Sequence, residues 1–533
     1  MEENPSKNRI RAVVAFCFCL FVLVMAVVNV KLTIKPALSF LTGELTFKEM
    51  TQEIAGNYVS EKLWRRSDFI NFNGLFAKTS GRHAYNKTML MDNGMLNYGT
   101  DTFSEEPDEI LVTYLTESVG QFSEYLGTRD IPFYFVLAPV KEDVEGELIP
   151  DAFHNYQNET GDQLFTRLSE QGIDTLDLRE YLTQNAEQSE KFFYRTDHHW
   201  NGDGALLGFS VLMDYLRNQY DPSLDISYAD PECWERFTLE DSFLGTHGKR
   251  VGKYYAGTDD LIWYEPKFET EMSLSVPAYS YFYKGPFSEV DIREEYREKQ
   301  DYFEVTPYVI YIGGDYPSVQ HRNVNAPNQK KVLFIKDSFG LPVQAFLSTE
   351  FYAVDVIDPR YYTETGIASY CEWEQPDLVI MMMSPSAVSN WYYNRVAISE
   401  EERSLLENRT ESILLNDLTI NMDGDNRKEN AVKLMFIPEP GKTYRITFEN
   451  VTADAEMPDA ISAVLYNETI EDYIQQRIFD TDFNGIFEPW QWTFTIPNEG
   501  DPAEFSIYLC SGLFETENNP AVTISGISVT GLS

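Results

Sequence analysis

Short apolar segments alternate with helical patterns between residues 108 and 385, and this alternation restricts the fold more than any other feature. Residues 108–127 repeat apolar side chains at helical spacing, and IPFYFVLAP, residues 131–139, follows as a predicted buried strand. KVLFIKDSFG at 331–340 and PDLVIMMM at 376–383 repeat the strand pattern. Strands that alternate with helices form parallel sheets with helices on both faces. We therefore predict an α/β domain built on a mostly parallel sheet.

Two regions lack this alternation. Residues 222–330 are rich in Tyr, Phe and Pro and predict an irregular, partly β insertion. Near the C-terminus, short apolar segments separated by Gly, Pro and Asn predict a β-sandwich or jelly roll over residues 430–533. A chain of 533 residues accommodates two or three domains. The boundaries we expect are a tail and anchor at 1–35, the α/β domain at 40–398, and the sandwich.

The N-terminus predicts a membrane anchor. Residues 12–28 carry no charge and follow Lys7, Arg9 and Arg11. A span of about 17–25 apolar residues crosses a bilayer. No small-residue cleavage site follows closely, which favours a retained single-pass helix over a removed signal peptide. A short basic tail before the span predicts a cytoplasmic N-terminus and a body outside the cytoplasm, although two lysines just after the span weaken the charge bias.

Charge and cysteine content exclude several classes of function. The net charge is −43, with 85 acidic and 42 basic residues, so neither nucleic acid nor anionic lipid is an expected partner. Five cysteines without a C-x-x-C pair argue against a zinc–thiolate site and a disulfide framework.

Ser338 is the candidate nucleophile. It follows the predicted strand and precedes a predicted helix, and ligands of open parallel sheets bind beyond the carboxyl ends of strands. Backbone N–H groups of such a turn can stabilise an oxyanion, and we assign Gly340 and the backbone of Ser338 to this role. The alternative is that Ser338 only caps the helix.

The stretch YRTDHHWNGDGA, residues 194–205, holds two of the six histidines. In an extended segment, Asp197 and His199 point to the same side, so Asp197 can orient the imidazole of His199 as a general base. His198 then points away and supports the loop. Two alternatives remain: both histidines cap or pack the next helix, or Asp197, the two histidines and Asp203 bind a metal ion.

The motif TDHHW resembles the signature of the DHHW protein family, which is related to the SGNH-hydrolase-like proteins that O-acetylate alginate and other exopolysaccharides. The resemblance extends over residues 70–395 through six blocks in order. These blocks are FVLAPVKEDV, LDLREYL, YRTDHHWNGDGA, DSFLGTHGKRVGKYY, KVLFIKDSFG and VIDPRYY.

The resemblance implies a catalytic triad of Ser338 as nucleophile, His199 as base and Asp197 as its orienting acid. It further implies an SGNH-hydrolase-like fold, no metal and no cofactor, a polysaccharide acceptor, and a membrane-bound O-acyltransferase that supplies acetyl groups outside the cytoplasm. The same triad would serve a polysaccharide acetyl esterase. A catalytically silent glycan-binding or scaffold protein is the third possibility.

Four further residues are candidates for substrate binding. Arg360 lies just beyond a strand end, and its alternative is a structural ion pair. Trp200 follows the histidine pair. Trp490 and Trp492 alternate in the predicted sandwich, which resembles carbohydrate-binding modules, and aromatic rings stack on sugars; their alternative is the sandwich core.

Overall fold

The computed structural model describes most of the chain. The described residues are 5–59, 62–99, 106–150, 153–279, 281–363, 366–388, 395–407, 412–421, 431–434, 436, 438–454, 460–470, 472–480, 490–498, 500–511 and 521–532.

Helices predominate in the first half of the chain and strands in the second. The helices are α1 (Pro5–Val28), α2 (Lys31–Leu41), α3 (Phe47–Val59), α4 (Arg66–Thr79), α5 (Glu109–Gly127), α6 (Gln157–Glu170), α7 (Arg179–Leu182), α8 (Ala186–Phe192), α9 (Gly202–Gln219), α10 (Thr246–Val251), α11 (Lys253–Ala256), α12 (Phe287–Val290), α13 (Gly340–Glu350), α14 (Ile367–Glu374), α15 (Pro385–Val388) and α16 (Glu400–Glu407). The strands are β1 (Ala84–Tyr85), β2 (Thr88–Leu90), β3 (Leu96–Tyr98), β4 (Phe133–Leu137), β5 (Asp174–Asp177), β6 (Trp234–Phe243), β7 (Asp259–Pro266), β8 (Met272–Val276), β9 (Tyr281–Gly285), β10 (Ser318–Asn323), β11 (Asn328–Lys336), β12 (Phe351–Ile357), β13 (Leu378–Met383), β14 (Ser412–Leu414), β15 (Leu418–Asn421), β16 (Val432–Lys433), β17 (Thr443–Ala453), β18 (Ala460–Asn467), β19 (Asp472–Asp480), β20 (Trp490–Thr495), β21 (Phe505–Ser511) and β22 (Ala521–Gly531).

An eight-stranded sheet is the centre of the α/β region, in the order β5-β4-β13-β11-β12-β10-β8-β9. The first five strands are parallel, as the alternation of strands and helices predicts. Successive side chains of β11 serve different cores: Val332 and Phe334 pack with residues of α9 and α13, whereas Leu333 and Ile335 pack with residues of α5 and α14. Both faces of the parallel half are therefore buried.

The predicted insertion belongs largely to this sheet. Its strands β8, β9 and β10 extend the sheet beyond β12, and all three pairings are antiparallel. The sheet is therefore mixed rather than mostly parallel. The sequence pattern did not show this because β8 and β10 are buried on both sides yet carry polar residues, such as Ser273, Gln320 and Arg322. A separate hairpin of β6 and β7 completes the insertion.

Side-chain caps set the start of the two helices that flank the site region. Asp108 accepts hydrogen bonds from the N–H groups of Ile110 and Leu111 at the start of α5. Asn201 accepts one from the N–H of Gly204 at the start of α9. Such caps satisfy N–H groups that have no partner within the helix.

The C-terminal region is a β-sandwich of two antiparallel sheets. One sheet contains β14, β15, β22, β17 and β20, and the other has the order β16-β21-β18-β19. Because β14 and β15 pair with β22, the sandwich begins before residue 430. Trp490 and Trp492 are each 5% exposed and pack in the core between the sheets, so their assignment to glycan contact was wrong. Alternating apolar positions of a sandwich strand face the core, and both tryptophans occupy them.

The sandwich packs against the α/β region through charged and apolar contacts. Arg477 of β19 donates hydrogen bonds to the carboxylate of Glu374 at 3.3 and 3.5 Å, and Lys331 donates to the same carboxylate at 2.7 Å. Ile478 is buried against Phe282 of β9. The same strand of the sandwich, β19, therefore makes both kinds of contact.

The N-terminal apolar segment is bent. Among the described residues, no single helix is long and apolar enough to cross a membrane, but Ala12–Val28 and Lys31–Leu41 together meet that criterion and are inclined at 64°. Helix α1 covers the expected residues 12–28, but it meets that criterion only together with α2. The bend falls at Asn29, whose side chain donates to the carbonyl of Met25 and accepts the N–H of Trp64.

Candidate active site

Three side chains that are far apart in the sequence form one hydrogen-bonded chain at the carboxyl edge of the parallel strands. His199 Nε2 lies 2.7 Å from Ser338 Oγ, and His199 Nδ1 lies 2.6 Å from Asp197 Oδ1. Asp197 is buried, His199 is 7% exposed, and Ser338 is partly exposed. A base that contacts a hydroxyl on one side and a carboxylate on the other is the arrangement that activates a serine nucleophile.

The local backbone brings Asp197 and His199 together in a way that differs from the extended segment we expected. Residues 195–199 form a series of bends, closed by a bridge between Phe193 and Trp200. The backbone N–H of His199 donates to Asp197 Oδ1 at 3.1 Å. This side-chain turn, typical of aspartate, folds the imidazole back onto the same carboxylate oxygen.

A second loop completes the support of Asp197. The N–H of Thr246, at the start of α10, donates to Asp197 Oδ2 at 2.6 Å. The preceding Gly245 donates its N–H to Thr196 Oγ1 at 2.9 Å. A Cβ atom added to Gly245 would lie 2.2 Å from the Cβ of Asp197, so only glycine allows this close approach.

Electrostatics keep Asp197 ionised. Burial alone raises the pKa of its carboxyl, but the neighbouring His198 and His199 and the N–H of Thr246 bring that pKa well below its usual range. An ionised Asp197 accepts the Nδ1–H of His199 and so leaves Nε2 as the proton acceptor facing Ser338.

His198 packs among aromatic rings beside the site, and its ring centroid lies 3.8 Å from that of His199. Its ring centroid lies 5.4 Å from that of Tyr98 and 5.9 Å from that of His247. Burial, with a smaller effect of the neighbouring His199, lowers the pKa of His198 to about 3. His198 is therefore a neutral packing residue beside Asp197.

The same three residues offer ligand atoms for a metal ion. Asp197, His198 and His199 have such atoms within 4.8 Å of one another. However, Asp197 Oδ1 already accepts the ring of His199, and Oδ2 accepts the N–H of Thr246. A zinc ion would need three or four side chains at tetrahedral angles and would compete with both hydrogen bonds. The geometry therefore favours the hydrogen-bonded chain.

The turn that carries Ser338 is braced on both sides. Asp337 Oδ1 accepts the N–H of Phe339 at 2.9 Å, and Asp337 Oδ2 accepts the N–H and hydroxyl of Ser384 beyond β13. The hydroxyl of Tyr308 donates to the carbonyl of Ser338 at 2.9 Å. The ring of Tyr308 stacks on His199, with centroids 3.9 Å apart and planes at 12°. Tyr308 thus contacts both His199, the candidate base, and Ser338, the candidate nucleophile.

Gly340 does not supply an oxyanion donor. Its N–H donates to the carbonyl of Asp337 at 3.0 Å, so our assignment of Gly340 was wrong. Its role is steric, since an added Cβ would lie 2.6 Å from the Cβ of Lys336. Among the described residues, no group accepts a hydrogen bond from the N–H of Ser338.

Arg360 lies in a network of charges beside the site. Its guanidinium donates to Asp358 at 2.6 Å and lies 2.9 Å from Asp315, while Lys336 pairs with the same two carboxylates. Burial raises the pKa of Asp315, but Lys336 and Arg360, with a smaller effect of His199, lower it to about 2. Arg360 therefore makes structural ion pairs, which were the alternative to substrate binding. Its side chain remains 22% exposed.

Trp200 is fully buried, so its assignment to substrate binding was wrong. It belongs to the core formed with α9 and α13, and its ring lies 5.7 Å from that of Phe339. A fully enclosed tryptophan buries a large apolar area. Trp200 therefore anchors the loop that carries His199.

Two contributors were not identified from the sequence. Thr246 acts through its backbone, although its stretch DSFLGTHGKRVGKYY was among the six blocks. Tyr308 lies in the irregular insertion, where neither spacing nor motif marks it.

A known family model matches the part of the chain that carries two of the three residues of this site. Residues 98–229 match the family model described as the SGNH hydrolase-like domain of the acetyltransferase AlgX; this segment includes Asp197 and His199 and ends before Ser338. No curated protein matches the sequence.

Solved structures similar to this chain include three bacterial proteins. PatB1 of Bacillus cereus has 22% identity and a TM-score of 0.47, and the similarity covers 57% of this chain and 97% of PatB1. A DHHW family protein from Eubacterium siraeum has 16% identity and a TM-score of 0.41, covering 58% and 97%. The O-acetyltransferase domain of Pseudomonas putida AlgJ has 13% identity and a TM-score of 0.35, covering 56% and 91%. The match agrees with the resemblance that the motifs indicated: residues 98–229 are similar to the SGNH hydrolase-like domain of the acetyltransferase AlgX.

Proposed function

We propose that this protein transfers acetyl groups to hydroxyls of a polysaccharide through an acetyl-enzyme on Ser338. The observation that carries the proposal is the hydrogen-bonded chain from Asp197 through His199 to the partly exposed Ser338. A carboxylate, an imidazole and a hydroxyl in this order have one well-understood use, which is acyl transfer.

In the first half-reaction, His199 Nε2 accepts the proton of Ser338 Oγ while Oγ attacks the acetyl carbonyl of the donor. The donor oxygen leaves with that proton, and the acetyl group remains on Ser338. In the second half-reaction, His199 accepts the proton of a sugar hydroxyl, whose oxygen attacks the acetyl-enzyme. Ser338 Oγ leaves and takes the proton back. Asp197 holds the Nδ1–H of His199 throughout.

The N–H of Ser338 is the group best placed to stabilise the oxyanion. It precedes α13 and has no acceptor among the described residues, so it can donate to a carbonyl oxygen that approaches Oγ. The positive end of the α13 dipole adds to this stabilisation.

Exposed tyrosines support a polysaccharide as the acceptor. Tyr279 and Tyr281 are 53% and 43% exposed, and both contact the ring of Tyr316 at centroid distances of 5.3 and 6.2 Å. β9 begins at Tyr281, β10 begins two residues after Tyr316, and both strand starts lie at the sheet edge where β11 leads into Ser338. With strands about 4.8 Å apart, the tyrosines lie roughly 10–20 Å from Ser338 along that edge. Aromatic rings in such a row suit a chain of sugar rings.

The cellular setting is part of the proposal. We place the body outside the cytoplasm, attached through the apolar segment of α1 and α2, with its N-terminus in the cytoplasm. No acetyl-CoA is present there, so a membrane-bound O-acyltransferase is proposed as the partner that delivers acetyl groups. Support comes from the basic residues before the apolar run, the apolar composition of the bent pair and the family resemblance.

The test is covalent trapping on the full chain in detergent. After reaction with p-nitrophenyl acetate, intact mass should show one acetyl adduct on the wild-type protein. Ser338→Ala should abolish the adduct, and His199→Ala should slow its formation by about 10⁴-fold or more. Matched controls are the exposed residues Ser223→Ala and His154→Ala, which should form the adduct at the wild-type rate.

The outcomes separate the rival functions. An adduct that passes to an added glycan identifies a transferase, whereas an adduct that only hydrolyses, at a rate no glycan changes, identifies an esterase. Adduct formation that is absent, or equal in Ser338→Ala, would show a silent protein and reject the proposal.

A further inference from the structure

Helix α4 exposes large apolar side chains on one of its faces. Phe69, Phe72 and Phe76 lie on one face at helical spacing, and Phe72 and Phe76 are 66% and 64% exposed. The opposite face packs on α10 and α11, where Gly74 approaches the backbone of Val251. Three phenylalanines exposed in a row indicate contact with another apolar phase.

This face continues the apolar N-terminal segment. The ring of Phe21 in α1 lies 6.1 Å from that of Phe69 in an edge-to-face contact. Trp64, just before α4, is 46% exposed and donates its N–H to Asn29 at the bend between α1 and α2. The exposed apolar face of α4 is therefore in contact with the apolar segment α1.

The charge of this region is opposite to that of the whole chain. Residues 31–87 contain nine Lys and Arg against five Asp and Glu, a surplus of four positive charges, whereas the chain carries −43. A local basic surface on a strongly acidic protein attracts anionic lipid headgroups while the rest of the body is repelled.

A cavity of about 450 Å³ opens between α4 and α10 beside Phe69. Its polar wall carries Arg66, Lys249 and Arg250, its apolar wall includes Phe303, and no acidic side chain lines it. Among the described residues, no ion pair joins Arg66 or Arg250 to a carboxylate. Arg250 does donate to the carbonyl of Lys87 at 3.5 Å and lies over the ring of Tyr98, but neither contact neutralises its charge. Arginine side chains that have no carboxylate partner bind phosphate oxygens strongly, often in pairs.

We propose that this cavity binds the phosphate headgroup of an anionic phospholipid, with the acyl chains lying along the phenylalanines of α4. Cationic groups next to an exposed aromatic face are the two signals that together hold a protein at a bilayer surface. The proposal rests on the proposed membrane location and is independent of acetyl transfer.

Bound lipid would lie close to the catalytic chain. Lys249 and Arg250 belong to α10, the helix whose first N–H, that of Thr246, holds Asp197. The proposed headgroup site and the orienting carboxylate thus contact the same short helix. Lipid binding would hold the body on the membrane surface. The active-site region would then lie close to that surface, because both contact α10.

The test uses the full chain in detergent, with native mass spectrometry to count bound phosphatidylglycerol and phosphatidylcholine. Wild-type protein should bind phosphatidylglycerol in clear preference. Arg66→Ser combined with Arg250→Ser should weaken that binding roughly 25-fold, since each cation near a headgroup contributes about 1 kcal/mol. The control is Arg217→Ser combined with Arg403→Ser, which removes the same charge from helices elsewhere.

Two further measurements separate a lipid from a soluble phosphate and a structural effect from a binding effect. Phe72→Ser should weaken phosphatidylglycerol binding but leave glycerol phosphate binding unchanged. Ser338→Ala should bind lipid like the wild type, so loss of acetyl transfer and loss of lipid binding are distinguishable. Equal binding of the two lipids, an Arg66/Arg250 variant that matches its control, or complete displacement by inorganic phosphate would overturn the proposal.

Discussion

The ring of Tyr308 lies parallel to the imidazole of His199 at 3.9 Å, and its hydroxyl donates to the carbonyl of Ser338. One buried side chain thus sets the plane of the proposed base and the position of the proposed nucleophile. The His199 ring has Asp197 at one nitrogen and Ser338 at the other. The rings of Tyr308 and His198, with centroids 3.9 and 3.8 Å from that of His199, restrict its rotation about that line.

Substitution of Tyr308 should separate these two contributions. Tyr308→Phe keeps the stacking and loses one hydrogen bond worth about 1 kcal/mol, so adduct formation should slow about fivefold. Tyr308→Leu loses the stacking as well, worth about 0.5–1.5 kcal/mol more, and should slow it a further two- to tenfold. Stopped-flow release of p-nitrophenol measures both rates. Equal rates in the two variants would show that stacking has no role.

Gly245→Ala should disable the site without unfolding the protein. The backbone of Gly245 is extended with φ of −72°, so alanine is compatible with it, but the new Cβ would overlap Asp197. A displacement near 1 Å costs on the order of 100-fold in rate. Gly127→Ala, which adds a Cβ in open space, is the matched control. Acetyl-adduct rates with circular dichroism on both variants would check this, and a wild-type rate in Gly245→Ala would contradict it.

Glu350 should make the stability of the protein depend on pH. Burial, with a smaller effect of Asp225, raises the pKa of Glu350 to about 8. Between the ordinary pKa of a glutamate and this value, the folded state binds more protons than the unfolded state. The free energy of unfolding therefore falls as pH rises through this range.

Glu350→Gln removes that titration. Its unfolding free energy should fall less steeply than the wild type between about pH 5 and 8, by up to about 1.4 kcal/mol per pH unit. Urea unfolding at several pH values measures the slope, and the exposed Glu117→Gln should follow the wild type. A steeper slope in Glu350→Gln would reverse the expected sign.

Arg477 should control how the sandwich is held. Its guanidinium is 13% exposed and pairs with Glu374, which is 9% exposed. Arg477→Met keeps the apolar contact but leaves Glu374 with one cation fewer, which should cost about 1–3 kcal/mol. Calorimetry should then show the sandwich unfolding earlier, as a separate transition, while adduct formation at Ser338 is unchanged. A single transition at the wild-type temperature would show that this ion pair does not hold the two parts together.

The parallel half of the fold was predictable because apolar strands and amphipathic helices leave clear periodic patterns, as in β4 and α5. The antiparallel extension was not, since β10 is buried with a polar sequence, SVQHRN. Two of its polar side chains have partners distant in the sequence: Arg322 donates to Asp355, and Asn323 donates to the carbonyl of Ser348. Periodicity contains no information about such pairings.

The site shows the same division. The structure brings together Asp197, His199 and Ser338, whose residue types and place beside a strand end were visible in the sequence. The wrong predictions concern side chains that can either bind substrate or fill a core, depending on their environment. Trp200, Trp490 and Trp492 are aromatic in either role, and only burial shows that they form cores. Tyr308 was not identified because its role depends on stacking against His199, which the sequence does not show.

The position of β11 in the sheet sets the order in which the site can be assembled. β11 carries Ser338 at its end, and its two neighbours, β12 and β13, both follow it in the chain. A nascent chain therefore contains Asp197 and His199 long before β12 and β13 are available to position Ser338. The strand that carries the serine is secured only after residue 383 has been synthesised. We therefore expect the proposed reactivity of Ser338 to appear only after β13 has been synthesised and paired.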